Sequence, residues 1–233
     1  MSDSSKYWLV IPAAGVGSRM GVDKPKQYIS INNKTIIEHT IDCFINREEI
    51  EKIVIAISKE DEFWSTLEIS DHDKIMTVSG GKERYQSVLN SLKMLSSEAE
   101  DDDWVMVHDA ARPCLNQSAI DRLIIQLKGH DIGGILAMPC RDTMKRSNDT
   151  GEIDETVERQ SLWHAQTPQM FKYGKLLLAI QDALKNKAVV TDEAMAVERL
   201  GFKPMLVLGH QGNIKLTYKD DLESLRLYLD RII

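Results

Sequence analysis

What this 233-residue sequence lacks narrows its possibilities before any motif is weighed. It has only three cysteines, Cys43, Cys114 and Cys140, with no CxxC spacing; an odd, unpatterned set points to reduced thiols in the cytoplasm. No apolar run approaches the length of a membrane span, and the opening residues, Met1 to Lys6, hold no signal-peptide core, so neither anchor nor export is expected. Positive charge is in deficit. The 29 Lys and Arg against 36 Asp and Glu leave a net charge of −7, which argues against nucleic-acid binding. An anionic ligand must therefore be held by a local cluster of cations. Internal repeats, low-complexity segments and a second-domain boundary are also missing. A composition of 42% hydrophobic and 28% charged residues describes a globular chain long enough for one domain, 1–233, with a sizeable core.

Two common nucleotide-binding signatures are absent as well. A short apolar run at 8–11 predicts a strand buried on both faces, and it empties through Pro12 into Ala13, Ala14, Gly15, Val16, Gly17 and Ser18. Glycine has no Cβ to block close approach, so such a loop turns backbone N–H groups toward an anion. A dinucleotide fingerprint needs a third glycine, where Met20 stands, and a strand-end acid about 20 residues on. The P-loop needs a closing Gly-Lys-Ser/Thr, which is not there. What remains is a strand, a glycine turn and three cations, Arg19, Lys24 and Lys26, which together read as a triphosphate cradle.

The rest of the chain alternates strand and helix signals. Thr35 and Glu38 have capping-box spacing before a helix predicted to end near Asn46, and 52–57 reads as a strand. Ser58 followed by Glu60, Asp61 and Glu62 predicts a helix start. Strands are predicted at 74–78, closed by Gly80 and Gly81, at 104–107, running into His108 and Asp109, and at 132–138. Helices are predicted over 85–95 and from Asn116 to about Leu127. Residues 162–171 read as an irregular return to the core, followed by helices over 173–186 and from Thr191 to Leu200. A strand at 204–208, an extended run at 213–216 and a last helix complete the chain. The pattern implies an α/β fold with a mostly parallel sheet and helices on both faces. Ligands then sit beyond the carboxyl ends of strands, where the glycine loop, Gly80-Gly81 and His108-Asp109 can converge.

The rhythm breaks over 139–160, a polar stretch with a turn signal at Asn148 to Gly151. It reads as a two-stranded arm projecting from the body, and since an isolated hairpin is marginal in water, a second subunit is the simplest thing for it to pack on. Asp109 fits either a turn cap or a Mg²⁺ ligand, because Mg²⁺ needs only one or two carboxylates beside phosphate oxygens and water. Asp101, Asp102 and Asp103 precede their strand, at the wrong sheet edge, and read as a solvated loop. His108, His164 and His210 have neither nucleophile nor zinc spacing and read as structural or exposed. Ser18 and Ser87 lack a nearby base and suit hydrogen bonds to phosphate or ribose. Lys215 by itself reads as an outward-facing lysine.

Taken together, Ala13 to Gly21, Pro25 to Tyr28, Gly80 to Arg84 with Ser87, His108 to Pro113, Thr156 to Arg159, Leu162 to Ala165, Thr167 to Gln169, Thr191 to Glu193 and Asn213 to Lys215 resemble the 2-C-methyl-D-erythritol 4-phosphate cytidylyltransferases, in order along essentially the whole chain. The resemblance implies a Rossmann-like nucleotidyltransferase body of the GT-A-like kind and a homodimer joined through the arm. It implies transfer of CMP from CTP to methylerythritol phosphate with release of pyrophosphate, and Mg²⁺ as the divalent cation. By that resemblance Arg19 and Lys26 stabilise charge on the triphosphate, and Arg159 and Lys215 position the acceptor phosphate. Pro12, Ala13, Ala14, Gly15, Gly17, Ser18, Gly80, Gly81, Ser87, Ala110 and Lys215 hold the nucleotide. Asp109 meets both acceptor and metal, Arg112 and Thr143 reach the acceptor from the side of the partner's arm, and Thr167 lines its pocket. Lys82 and Tyr85-Gln86 depart from the family's commonest pattern beside the implied base pocket. Two other readings remain: a ribitol 5-phosphate cytidylyltransferase, against which Ala14-Gly15 and Ala110-Ala111 speak, and a nucleotide-binding regulator without catalysis.

Overall fold

A computed structural model describes residues 5–15 and 24–232. The first apolar run forms β1 (Tyr7–Pro12), whose four interior residues are buried on both faces, as a strand without polar alternation requires. A small hairpin, β2 (Ser30–Ile31) and β3 (Lys34–Thr35), turns through Asn32 and Asn33, both at positive φ. It feeds α1 (Ile36–Asp42), where Thr35 and Glu38 complete a reciprocal capping box. The helix stops four residues short of the predicted Asn46, because the N–H groups of Phe44 and Ile45 both return to the Ile41 carbonyl in a tightened turn.

Next come β4 (Ile50–Ile57), β5 (Ile75–Ser79), α2 (Arg84–Met94), β6 (Trp104–Val107), α3 (Gln117–Leu127) and β7 (Gly133–Pro139). The arm contributes β8 (Met144–Ser147) and β9 (Ile153–Val157), which pair with each other in a separate two-stranded sheet. After them follow β10 (Trp163–Lys172), α4 (Tyr173–Lys185), α5 (Glu193–Arg199), β11 (Met205–Leu208) and α6 (Asp221–Ile232). The main sheet runs β11-β7-β10-β6-β1-β4-β5. All its neighbouring pairs are parallel except those of β10, which runs antiparallel to both β6 and β7.

Alternation along β1 divides the core. Leu9 and Ile11 pack with α1 and α3 on one face, while Trp8 and Val10 pack with α2, α4 and α5 on the other. A third cluster joins α6 to Ala111, Cys114 and Leu216, tying the chain's last helix to the end of β6. Gly133 opens β7 with φ +132° and lies so close to β10 that a Cβ there would sit 2.1 Å from the Met170 carbonyl oxygen, so only glycine fits. Cys43 and Cys114 are buried, and that burial pushes each thiol up to about 12. Cys140, just after β7, is partly exposed. Among the described residues, no helix is long and apolar enough to cross a membrane.

Three further expectations need correction. The helix predicted from Ser58 does not form; Asp61 accepts from the N–H groups of Phe63 and Trp64, and two 3₁₀ turns, Trp64–Thr66 and Glu68–Asp71, replace it. Residues 163–172 are a strand in the middle of the sheet, made irregular by a bulge between Ala165 and Gln169 that holds a cis Thr167–Pro168 bond. Asp103 is not solvated. It lies at the predicted far edge of the sheet but is buried, accepting from the Lys6 N–H at 2.9 Å, the Trp8 indole N–H at 3.0 Å and the Glu100 N–H at 3.0 Å. Asp103→Ala is expected to destabilise the chain by roughly 1–3 kcal/mol for the orphaned indole donor, and Trp8→Phe should cost less in that background than alone. Denaturant melts of the four chains check it.

Candidate active site

The carboxyl ends of β1, β4, β5 and β6 meet at one edge of the sheet, and a cleft opens there. Its walls include Pro12, Ala13, Ala14 and Gly15 from the glycine loop, Gly81 and Ser87 after β5, Asp109 and Ala110 after β6, and Lys26 and Lys215. Gly80 is what allows the first two walls to touch: a Cβ on it would stand 2.3 Å from the Ala14 Cβ. Beside it the Gly81 N–H donates to Ser87 Oγ at 3.0 Å, closing the turn onto α2. Gln27, buried in the 3₁₀ turn Lys26–Tyr28, donates from Nε2 to the carbonyls of Ala13 (2.7 Å) and Gly15 (3.1 Å). Those carbonyls are thereby tied back toward the body of the protein. Gly17, Ser18 and Arg19 lie outside the described residues.

Asp109 is the electrostatic centre. Its Oδ1 accepts from Arg84 Nε at 3.2 Å, and its Oδ2 accepts from Lys215 Nζ at 2.9 Å and Arg112 Nε at 3.3 Å. Burial opposes ionisation here, but Arg84, Lys215 and Arg112 outweigh it and hold the carboxyl well below the usual carboxylate range. Arg112 also reaches the Asn213 carbonyl at 2.7 Å, and Lys26 Nζ donates to the Leu216 carbonyl at 2.7 Å. The 213–216 segment, which joins no strand, is thus pinned from two sides, and the Leu216 N–H fixes it further on the Ala111 carbonyl.

Behind Asp109 sits His108, fully buried with its ring edge-on to Phe44. Burial pushes its pKa down to about 4, so the ring is neutral. Nε2 faces the Arg112 carbonyl and must carry the proton; Nδ1 then accepts from Thr167 Oγ1, which itself accepts from the Asp109 N–H at 3.1 Å. Thr167 is therefore buried with its hydroxyl engaged on both sides.

The cleft brings together Pro12 to Gly15, Gly81, Ser87 and Ala110 from the nucleotide side with Lys26, Asp109 and Lys215, residues drawn from both ends of the chain; Gly80 packs behind its wall against Ala14. Arg112 stands beside them on the same chain. Thr143 and Arg159 do not line it: both are exposed, one at each foot of the arm. Arg84 and Glu193 received no role from the sequence. Arg84 stood within the Gly80–Arg84 run and Glu193 at a helix start, and neither position announces that their side chains form a bidentate pair.

The His108 value lies below its unfolded one, so between about pH 6.5 and 4 the unfolded chain binds the extra proton. Its contribution to stability is thus present at neutral pH and lost as pH falls through that window, at up to about 1.4 kcal/mol per pH unit. The stability advantage of the parent over His108→Asn should shrink accordingly, as denaturant titrations across the window would read.

Comparison with known proteins places this geometry. Residues 7–231 match the family model described as 2-C-methyl-D-erythritol 4-phosphate cytidylyltransferase. The protein of that name from Vibrio vulnificus (strain CMCP6) is 51% identical over 222 residues, 95% of this chain and 94% of the relative. Its namesake from Pseudomonas putida (strain W619) is 46% identical over 221 residues, 94% of each chain. The crystal structure of the Francisella tularensis 2-C-methyl-D-erythritol 4-phosphate cytidylyltransferase superposes with a TM-score of 0.85 at 40% identity, covering 96% of this chain and 100% of that one. Likeness over nearly the full length, in sequence and in fold, makes this chain a member of the 2-C-methyl-D-erythritol 4-phosphate cytidylyltransferase family.

Proposed function

We propose that this chain transfers CMP from CTP to 2-C-methyl-D-erythritol 4-phosphate, giving 4-diphosphocytidyl-2-C-methyl-D-erythritol and pyrophosphate. The observation that carries the reading is the single cleft in which a glycine loop and Lys26 face Asp109 and Lys215. The acceptor's phosphate oxygen attacks the α-phosphorus of CTP in line, the bond to the pyrophosphate oxygen breaks, and no enzyme-bound intermediate forms. Such a reaction asks the protein for positioning and for compensation of growing negative charge.

In this reading Pro12, Ala13, Ala14, Gly15, Gly17, Ser18, Gly80, Gly81, Ser87 and Ala110 hold the nucleotide. Arg19 and Lys26 take up charge on the triphosphate. Lys215 and Arg159 position the acceptor phosphate, with Asp109, Arg112, Thr143 and Thr167 completing the acceptor side. Lys215 is the cation best placed to change partners, since its side chain is 39% exposed whereas that of Arg112 is 12%. An incoming phosphate would draw its ammonium from Asp109, which stays charged on Arg84 and Arg112.

Both oxygens of Asp109 already face cations, and among the described residues no group of three or more His, Cys, Asp or Glu could hold a metal. A Mg²⁺ in this cleft would be held mainly through triphosphate oxygens and water, and Asp109, the protein carboxylate nearest to hand, would have to give up one of its cations to bind it. Such an ion neutralises triphosphate charge and eases departure of pyrophosphate.

The arm extends the proposal. Its strands pair only with each other in the described structure, and Ile153 on it is 67% exposed, so a second copy of this chain is the partner it suits. One domain spanning 1–233, with the arm at 139–160 as its insertion, then works as a homodimer. The free thiols suit a reducing cytoplasm.

Pyrophosphate release from CTP and Mg²⁺, measured with methylerythritol phosphate and with ribitol 5-phosphate, tests the reading; release with ribitol 5-phosphate alone, or with neither, overturns it. Lys26→Ala and Arg19→Ala are each expected to lower kcat by about 10²–10³, far more than they weaken folding, with Lys26→Ala also lowering the melting temperature modestly because it frees the Leu216 carbonyl. Replacing 142–158 by a short Gly-Ser linker should convert the dimer to a monomer in sedimentation velocity and lower turnover with it.

A further inference from the structure

Glu193 has no part in the chemistry proposed above, yet its carboxylate sits with no exposed surface. A buried charge is costly unless it is paired and hydrogen-bonded. The pairing is complete: Arg84 Nη1 donates to Oε1 at 2.5 Å and Nη2 to Oε2 at 3.1 Å, an end-on bidentate clamp. The remaining nitrogen of the same guanidinium, Nε, donates to Asp109 Oδ1. One arginine thus links the carboxylate at the centre of the cleft to one outside it.

The outer end of this link is tied down by several hydrogen bonds. Asp192 caps α5 by accepting from the Met195 N–H, and Gln169 of β10 holds the same turn twice. Its Oε1 accepts from the Ala194 N–H at 2.8 Å, and its Nε2 donates to Asp192 Oδ2 at 2.9 Å. Gln169 is itself buried within the central sheet. Glu193 is therefore a fixed point, and Arg84 is the long side chain that needs one.

We propose that Glu193 is a positioning residue for the transfer: by clamping Arg84 end-on, it aims Nε at Asp109 and withholds the guanidinium fork from the incoming triphosphate. Arg84 lines the same cleft as Lys26 and Ser87. Released, its planar fork would bind phosphate oxygens more readily than an ammonium does, and would draw the triphosphate off the line of attack. Asp109 would lose its Oδ1 partner and close on Lys215, the cation the acceptor phosphate has to win. With the clamp in place, Arg84 holds Asp109 without competing for substrate. The inference rests on the cytidylyltransferase reading of the cleft. A plain staple between α2 and α5 would need the Glu193 contact but not the one to Asp109.

The test is steady-state pyrophosphate release by the full chain, with CTP and acceptor varied separately, for the parent, Glu193→Gln, Arg84→Lys and the double variant, each with its melting temperature. Glu193→Gln is expected to lower kcat about tenfold to a hundredfold, as sub-ångström misplacement of reacting groups does. The KM for acceptor should rise, while that for CTP stays the same or falls. Arg84→Lys should reproduce this split, and the double variant should be no worse than the poorer single, since both remove one device. Glu193→Asp, which keeps the charge but draws it back, should fall between parent and Glu193→Gln, and serves if the latter does not fold. Unchanged kinetics in these variants would overturn the inference. So would a parallel rise in both KM values at constant kcat, which marks a loosened fold. A parent chain that releases no pyrophosphate would instead overturn the cytidylyltransferase reading, and this inference with it.

Discussion

A carboxylate buried at the end of a strand keeps its charge only while positive groups surround it, and Asp109 is surrounded on three sides. Each of those cations arrives from a different part of the chain. Arg84 comes from the start of α2, Arg112 from the turn after β6, and Lys215 from the segment that α6 holds against the core. The backbone N–H of Asp109 is held as well, through Thr167 and the neutral ring of His108. The carboxylate therefore acts as the joint where three elements and the central sheet meet.

The sheet explains why this joint sits at the cleft. A wholly parallel sheet would bring β10 in from the far edge, and its first residues would lie away from Asp109. Because β10 runs antiparallel between β6 and β7, its N-terminal half passes the carboxyl ends of both. Thr167 and Gln169 owe their places behind the site to that reversal. The arm owes its own to the same fact, since it leaves from the end of β7 and returns into the start of β10 at the site's edge.

Much of this was legible in the sequence because apolar runs report buried strands regardless of what flanks them. Residues 8–11, 52–57 and 104–107 needed no tertiary information, and the convergence of Gly80-Gly81 and Asp109 followed from strand polarity alone. The capping box at Thr35 was readable because its two partners are three residues apart. What escaped was decided by distant contacts. Asp103 looked like one acid in a soluble run until Lys6 and the Trp8 indole, 95 or more positions away, were brought to it. The Arg84–Glu193 clamp spans 109 positions and leaves no local pattern. Residues 163–172 hid as a strand because Pro168 and the polar residues around it broke the apolar run. Around Ser58, acids that suit a helix start suit a short capped turn equally well, and Asp61 took the second option.

The distribution of cysteines gives the molecule an unplanned handle. With two thiols sealed in the core and pushed up to about 12, almost no thiolate exists there at neutral pH for an electrophile to find. Cys140 is the third and last, and it lies partly exposed where the arm departs from β7. A dye or spin label attached by simple alkylation will therefore report from the root of the arm without engineering the chain. In a pair of molecules it would act as a ruler between the roots of their two arms.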